Sequence, residues 1–235
     1  MKIALLPGDA RQEALGRLLA EAGHEVRSYA PNEEADAWLF PMPTGKHPVL
    51  GELKPGSLAL TARAAGEHPQ LRLRDYSSSE EVLLRNAAIT AEGAIALAME
   101  RTERTLLGSR VLILGGGRIS QALTPRLRSL GAEVTVYARS AGQRARAECL
   151  GCRSLDRLPE APAGYHILFN TIPAPVLPKA AAGALNIELA SAPGGFSDSE
   201  GVVIARGLPG KAAPLSAAEA LLASIEAIIR EEGSS

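Results

Sequence analysis

The sequence predicts an α/β protein made of two doubly wound parallel-sheet domains with a helix between them and a docking helix at the C-terminus. Three observations carry that expectation. Short apolar runs alternate with helical segments over residues 1–78 and again after residue 110. One later alternation, "VLILGGGRISQALTPRLRSLGAEVTVYARS" (residues 111–140), reads as strand, glycine-rich turn, helix, strand. The C-terminal stretch "PLSAAEALLASIEAIIREEG" repeats Leu215, Ala218, Leu222, Ile225 and Ile229 at helical spacing, with Leu221 and Ile228 widening the stripe.

The elements follow in order. "KIALLP" is a strand, "GDARQEALGRLLAEAG" a helix with Asp9 as its N-cap, and "HEVRSYA", "AWLF", "SLALT" and "LRLRD" are further strands. "PMPTGKHPVLGELKPGS" is a Pro- and Gly-rich loop. "TAEGAIALAMERTERT" is the helix between the domains, with Thr90 as N-cap and Glu92 suiting the first-turn dipole. "YHILFNT", "ALNIELAS" and "GVVIARG" add buried strands to the second sheet. The expected domains are a short substrate-side α/β domain over 1–85, the helix and dinucleotide domain over 86–212, and a helix over 213–235 packing back on the body.

Of the 235 residues, 46% are hydrophobic and only 3% aromatic, so Leu, Ile, Val and Ala must build the core. A formal net charge of -1 gives no reason to expect nucleic acid or an anionic membrane as partner. The start "MKIALLPGDA" has no signal-peptide layout, and no apolar run reads as long enough to span a bilayer, so a cytoplasmic protein is expected. The cysteines of "CLGC", Cys149 and Cys152, lack further ligands for zinc. They sit at a helix end, with Gly151 as cap, where the dipole disfavours a thiolate. They read as packing residues rather than a metal or redox pair.

The glycine-rich turn carries the chemistry. Gly115 permits the tight turn, and Gly117 lets backbone approach a pyrophosphate. The helix start at Arg118 and Ile119 then offers N–H groups and a positive dipole end. Together these are the fingerprint of a Rossmann dinucleotide domain, with Ser120 where a third glycine is usual. Pro125 falls inside the helix, and a kink is expected there. The second strand ends in Ala138-Arg139-Ser140, with no acid to hold the ribose 2′-OH of NAD. Arg139 and Ser140 suit a 2′-phosphate, so NADP is expected over NAD; the alternative is a solvated surface arginine. "FNTIPAPVL" and "ELASAPGG" end strands at the carboxyl edge, where open α/β sheets bind ligands. Asn170 and Thr171 can hold the nicotinamide end, or can be a polar turn. In the first domain Arg11, Lys46 and Lys211 are loop or first-turn cations that can receive an anionic group or remain solvated. No nucleophile elbow, phosphate-loop lysine or metal cluster is found, which leaves hydride transfer.

These residues also carry a resemblance. "NAAITAEGAIALAMERTERTLLGSRVLILGGGRISQAL", "LGAEVTVYARS", "FNTIPAPVL", "ELASAPGG" and "GLPGKAAPLSA" resemble the A subunit of dipicolinate synthase. "PGDARQEAL" and "WLFPMP" resemble that family's first domain. The resemblance is dense from Asn86 onward and patchy before it. It implies an oxidoreductase that makes pyridine-2,6-dicarboxylate, the spore calcium chelator. The substrate would be dihydrodipicolinate or hydroxytetrahydrodipicolinate, with NADP taking the hydride. The implied partner is a flavoprotein-like B subunit; a homo-oligomer and the mother cell of a sporulating bacterium are implied with it. Carried over by position, Gly115, Gly117, Arg118 and Ile119 form the phosphate turn and Ala138, Arg139 and Ser140 the adenosine side. Asn170, Thr171, Ile172, Pro173 and Ser191 form the nicotinamide side. Asp9, Arg11, Thr90, Glu92, Gly210 and Lys211 form the substrate cleft; the catalytic acid or base is unknown.

The chain departs from the family at Ser120, which is usually Gly, at Ile89, which is usually Pro, and in a first domain shortened around "TGKHPVLGELKPGS". Two other readings stay open. One is a shikimate- or alanine-type dehydrogenase, although the Lys–Asp pair of the shikimate enzymes is not found. The other is an NADP-binding regulatory or scaffold protein without turnover, which the shortened domain favours.

Overall fold

The structure, a computed structural model, describes residues 1–32 and 34–233. The chain divides into two compact units, one of Met1–Asn86 with Pro209–Ser235, the other of Ala87–Leu208. Both carry an all-parallel sheet.

The first unit contains β1 (Lys2–Leu5), α1 (Ala10–Glu21), β2 (Glu25–Ser28), β3 (Ala37–Leu39), α2 (Val49–Glu52), β4 (Leu58–Thr61) and β5 (Arg72–Asp75). Its strand order is β2-β1-β3-β4-β5, with Ile3 opposite Val26 on one side and Ala37 on the other. The order reverses between β1 and β3, which makes a topological switch point at their carboxyl ends. Asp9 caps α1 there, accepting from the Arg11 and Gln12 amides at 3.1 and 3.2 Å. Buried Gln12 donates to the carbonyls of Leu6 (3.3 Å) and Leu39 (3.0 Å), fastening both strand ends to the helix start.

Helix α3 (Glu80–Arg101) starts ten residues before the expected Thr90. Ser79 supplies the cap, accepting from the Val82 amide at 3.3 Å, and Glu80 and Glu81 occupy the first turn. Thr90 is therefore a buried mid-helix residue rather than an N-cap. By length and composition alone α3 can cross a membrane, which corrects the expectation that no apolar run reaches that length. The core helix of a globular unit can have the same length and composition, and Ala91, Ala94, Ile95 and Ala98 pack into the core of the second unit.

The second unit contains β6 (Arg110–Leu114), α4 (Arg118–Ser129), β7 (Glu133–Tyr137), α5 (Ala141–Cys149), β8 (Arg153–Leu155), β9 (Ile167–Asn170), β10 (Leu185–Glu188) and β11 (Val202–Ile204). The order is β11-β10-β9-β6-β7-β8. Counted within the unit, this is the doubly wound 3-2-1-4-5-6 arrangement, with its switch point between β6 and β9. Val111, Ile113, Val134, Val136, Ile167, Phe169 and Ile187 form one core face; Leu112, Leu114 and Leu168 form the other. Aliphatic side chains dominate both, as the low aromatic content requires. Helix α4 runs through Pro125 to Ser129. Helix α5 ends at Cys149, and Gly151 follows with φ +70°. Cys149 is exposed and Cys152 buried, and burial pushes the Cys152 thiol pKa up.

The chain closes with α6 (Leu208–Ala212) and α7 (Pro214–Gly233). Ala218, Leu221, Ile225, Ile228 and Ile229 of α7 join Ile3, Leu15, Leu19 and Leu39 in the first unit's core, along α1. Leu215, part of the expected stripe, is 51% exposed because it lies in the first turn, before the packed face. His24 bonds Glu226 at 2.9 Å, and Arg72 pairs with Glu232 at 2.9 Å.

Candidate functional site

The turn after β6 is one that only glycine fits at its first position. Gly115 lies at φ +103°, a region L side chains rarely adopt, and donates its N–H to the Tyr137 carbonyl at 2.8 Å. A Cβ there would collide with Thr171 Oγ1 and lie 3.0 Å from Ile172 Cγ1, so turn and β9 edge are in direct contact. Gly117 caps α4 in extended conformation with open space where a Cβ would point. The Gln121 amide bonds the Gly117 carbonyl at 2.9 Å, which leaves the amides of the first turn, from Arg118 and Ile119 on, outside the helix ladder and directed past its end. Gly117 and Arg118 are exposed and Ile119 half-buried. Ser120 is 2% exposed, so this small side chain occupies the packing position usually held by the third glycine.

At the end of β7, Ala138 is buried while Arg139 and Ser140 are exposed. Ser140 is the N-cap residue of α5 but makes no side-chain cap bond, which leaves its hydroxyl available to a ligand. Arg144, not anticipated from the sequence, donates through Nη1 to the carbonyls of Ala138 (2.9 Å) and Arg139 (2.8 Å). It stabilises the strand end that presents Arg139 and brings a second guanidinium beside it. Its signal was available: it stands one helical turn past Ser140.

The nicotinamide-side set divides by exposure. Asn170 is 0% exposed, and its amide is fully engaged. Nδ2 donates to the Ile172 carbonyl (2.9 Å) and Glu188 Oε1 (2.7 Å), and Oδ1 accepts from the Ile172 amide (3.1 Å). Its side chain therefore has no polar group left for a ligand and instead fixes the backbone of the Ile172 turn. Thr171 donates its hydroxyl to the Leu114 carbonyl at 2.7 Å, bridging β9 to β6 at the switch point. Thr171 and Ile172 are half-buried, and Pro173 and Ser191 are exposed. Glu188, also missed from the sequence, is a buried carboxylate at the end of β10, register partner of Asn170.

The substrate set falls in both units. In the first, Asp9, Arg11 and Gly210 come together: a Cβ on Gly210 would collide with the Asp9 carboxylate. Arg11 is 6% exposed and already paired, with Asp9 Oδ2 at 3.1 Å and the Met42 carbonyl at 2.5 Å. The dipole mismatch noted for a first-turn cation is thus offset by the capping carboxylate. Lys211 and Lys46 are exposed. In the second unit Thr90 is buried, and Glu92 is an exposed partner of Arg126 at 3.1 Å. Buried Tyr76 donates to the Phe40 carbonyl at 2.8 Å, and its pKa is raised, by burial above all. Among the described residues no group of three or more His, Cys, Asp or Glu is placed to hold a metal.

Comparison with known proteins bears on the fold and on the resemblance. Residues 83–184 match the family model of the D-isomer specific 2-hydroxyacid dehydrogenase, NAD binding domain. The A subunit of dipicolinate synthase from Bacillus subtilis (strain 168) is 32% identical over 165 residues, covering 65% of this chain and 56% of that protein. The match thus spans little more than half of that relative. The crystal structure of the dipicolinate synthase A chain from Bacillus subtilis has a TM-score of 0.77 at 23% identity, over 100% of this chain and 97% of that one. The crystal structure of the corresponding protein from Bacillus halodurans gives 0.76 at 21% identity, over 97% of each chain. These two likenesses are of fold. The chain resembles the A subunit of dipicolinate synthase in sequence and in fold, and its second unit has a Rossmann fold that matches a dehydrogenase NAD-binding domain over most of its length.

Proposed function

We propose, from that resemblance and the glycine turn, that this chain is an NADP-dependent oxidoreductase of the dipicolinate synthase A type. It would oxidise dihydrodipicolinate, or hydroxytetrahydrodipicolinate after loss of water, to pyridine-2,6-dicarboxylate, the hydride passing to the nicotinamide and a proton to solvent. The observation that carries the reading is Gly115 at φ +103°, packed on Thr171 at the switch point between β6 and β9. Gly115 lets the turn pack directly on Thr171, and the open face of Gly117 leaves room for the phosphates of a dinucleotide.

When bound, NADP supplies a hydride acceptor. The chain's own residues bind and orient. The first-turn amides of Arg118 and Ile119, with the α4 dipole, hold the pyrophosphate. Ala138 lines the adenosine side, while Arg139 and Ser140 bond the 2′-phosphate, with Arg144 steadying their backbone. Thr171, Ile172, Pro173 and Ser191 flank the nicotinamide, and buried Asn170 fixes the Ile172 backbone. Of Asp9, Arg11, Gly210, Lys211, Thr90 and Glu92, the set carried over for the substrate, exposed Lys211 is assigned to one of its two carboxylates; Arg11 is already engaged by Asp9 and the Met42 carbonyl, Glu92 by Arg126, and Thr90 and Gly210 are buried. Formation of an aromatic ring drives the loss of hydride, so no strong protein base is assigned. A partner B subunit, self-association and a cytoplasmic, mother-cell location belong to the same proposal.

A second reading, an NADP-binding regulatory or scaffold protein, is favoured by one observation: Arg11 is buried and already paired. Complementation separates the two. Expression of this chain in a sporulating strain that lacks its own dipicolinate synthase A chain should restore dipicolinate. Binding of NADPH without restored dipicolinate would favour the scaffold.

A further inference from the structure

We propose that Glu188 and Arg206 are a pair of positioning residues that clamp the turn carrying Ser191 at the nicotinamide side; this rests on the cofactor reading above. Glu188 is 1% exposed and makes no ion pair among the described residues. A buried carboxylate is costly unless its oxygens are satisfied. Here every donor comes from the carboxyl edge. Oε1 accepts from Asn170 Nδ2 (2.7 Å) and the Ala190 amide (2.8 Å); Oε2 accepts from the Gly195 amide (2.6 Å). Ala190 and Gly195 are the two feet of the loop that contains Ser191, Ala192 and Pro193. One carboxylate thus ties both feet together and, through Asn170, ties them to the Ile172 turn.

Arg206 holds the same loop by its opposite polarity. Nε donates to the Ala190 carbonyl (3.1 Å) and Nη2 to the Pro193 carbonyl (3.0 Å). Anion grips amides and cation grips carbonyls, so each charged group meets the backbone atoms it prefers. Gly194 lets both approach. It lies at φ +93°, and a Cβ there would stand 2.7 Å from Glu188 Oε2 and 3.0 Å from Arg206 Nη2. Among the described residues no hydrogen bond joins the network to Arg139 or Ser140, so its effect should be confined to the nicotinamide half.

The test uses the full chain with Glu188→Gln and, separately, Arg206→Gln. An amide at 188 sets an NH2 against a backbone or side-chain N–H whichever way it turns. Two affinities are measured: NADPH by nicotinamide fluorescence, and 2′,5′-ADP, the adenosine half alone, by calorimetry. Amide exchange at Ala190 and Gly195 is followed without ligand. We expect each variant to lose about tenfold or more in NADPH affinity while 2′,5′-ADP stays within about twofold. In Glu188→Gln the two amides should exchange at least about tenfold faster. Unchanged NADPH affinity, or equal losses for both ligands, would overturn the proposal. If Glu188→Gln does not fold, the half-exposed Arg206→Gln decides by the same two affinities. A wild-type chain that binds neither ligand would refute the cofactor reading itself; a wild-type chain that binds both, matched by its variants, would refute the clamp alone.

Discussion

Gly115 and Arg139 carry the two residue-level claims about the cofactor, shape and charge. An alanine at 115 would force an L side chain to φ +103° and drive a methyl into Thr171 Oγ1. Gly115→Ala should cost about 1–3 kcal/mol in stability and weaken NADPH binding by more than about tenfold. Chemical denaturation and a fluorescence titration of the same sample check both. Arg139→Asp should weaken NADPH far more than NADH, because the carboxylate repels a 2′-phosphate and can accept from a ribose hydroxyl. Equal losses would remove Arg139 from that role. His47 provides a pH test. It packs edge-on against Phe40, its Nδ1 is buried without a partner, and burial lowers its pKa, opposed by the charge of Glu52. The unfolded chain therefore takes up this proton at higher pH than the folded one. Its contribution to stability is present above the unfolded pKa of about 6.5 and is lost as pH falls through and below it. His47→Leu should flatten the decline in Tm between about pH 7 and 5.5, as thermal scans across that range would show.

Elements were legible where their periodicity was clean and their caps conventional. Asp9 caps α1 as expected, and the stripe of α7 packs in the first unit except at Leu215. Truncating the centre of that stripe, Ile225→Ala, should cost about 2–5 kcal/mol, since Ile225 is 0% exposed; urea unfolding measures it. The start of α3 was misplaced because Arg85 and Asn86 interrupt the apolar pattern and hide the Ser79-Glu80-Glu81 cap ahead of them. The same alanine-rich composition makes this helix apolar enough to cross a membrane while it packs into a core.

For the whole molecule, the two parallel sheets followed from strand–helix alternation, and the dinucleotide turn from glycines set between a strand and a helix. The reach of buried polar side chains did not. Asn170 reads in sequence as a polar strand end open to ligand; only β9–β10 pairing brings Glu188 beside it and uses up its amide. Arg11 reads as a cation in need of an anion; the chain itself supplies Asp9 and the Met42 carbonyl. Both partners are set by tertiary register, which a local pattern cannot carry. Glycines behaved the other way, because a turn that excludes a Cβ leaves its mark in the sequence.

The most direct measurement is a fluorescence titration of the purified chain with NADPH and, in parallel, NADH. The account predicts saturable, tight NADPH binding and NADH binding weaker by about tenfold or more, reflecting one charge-assisted phosphate contact. Tighter NADH than NADPH, or binding of neither, would contradict it.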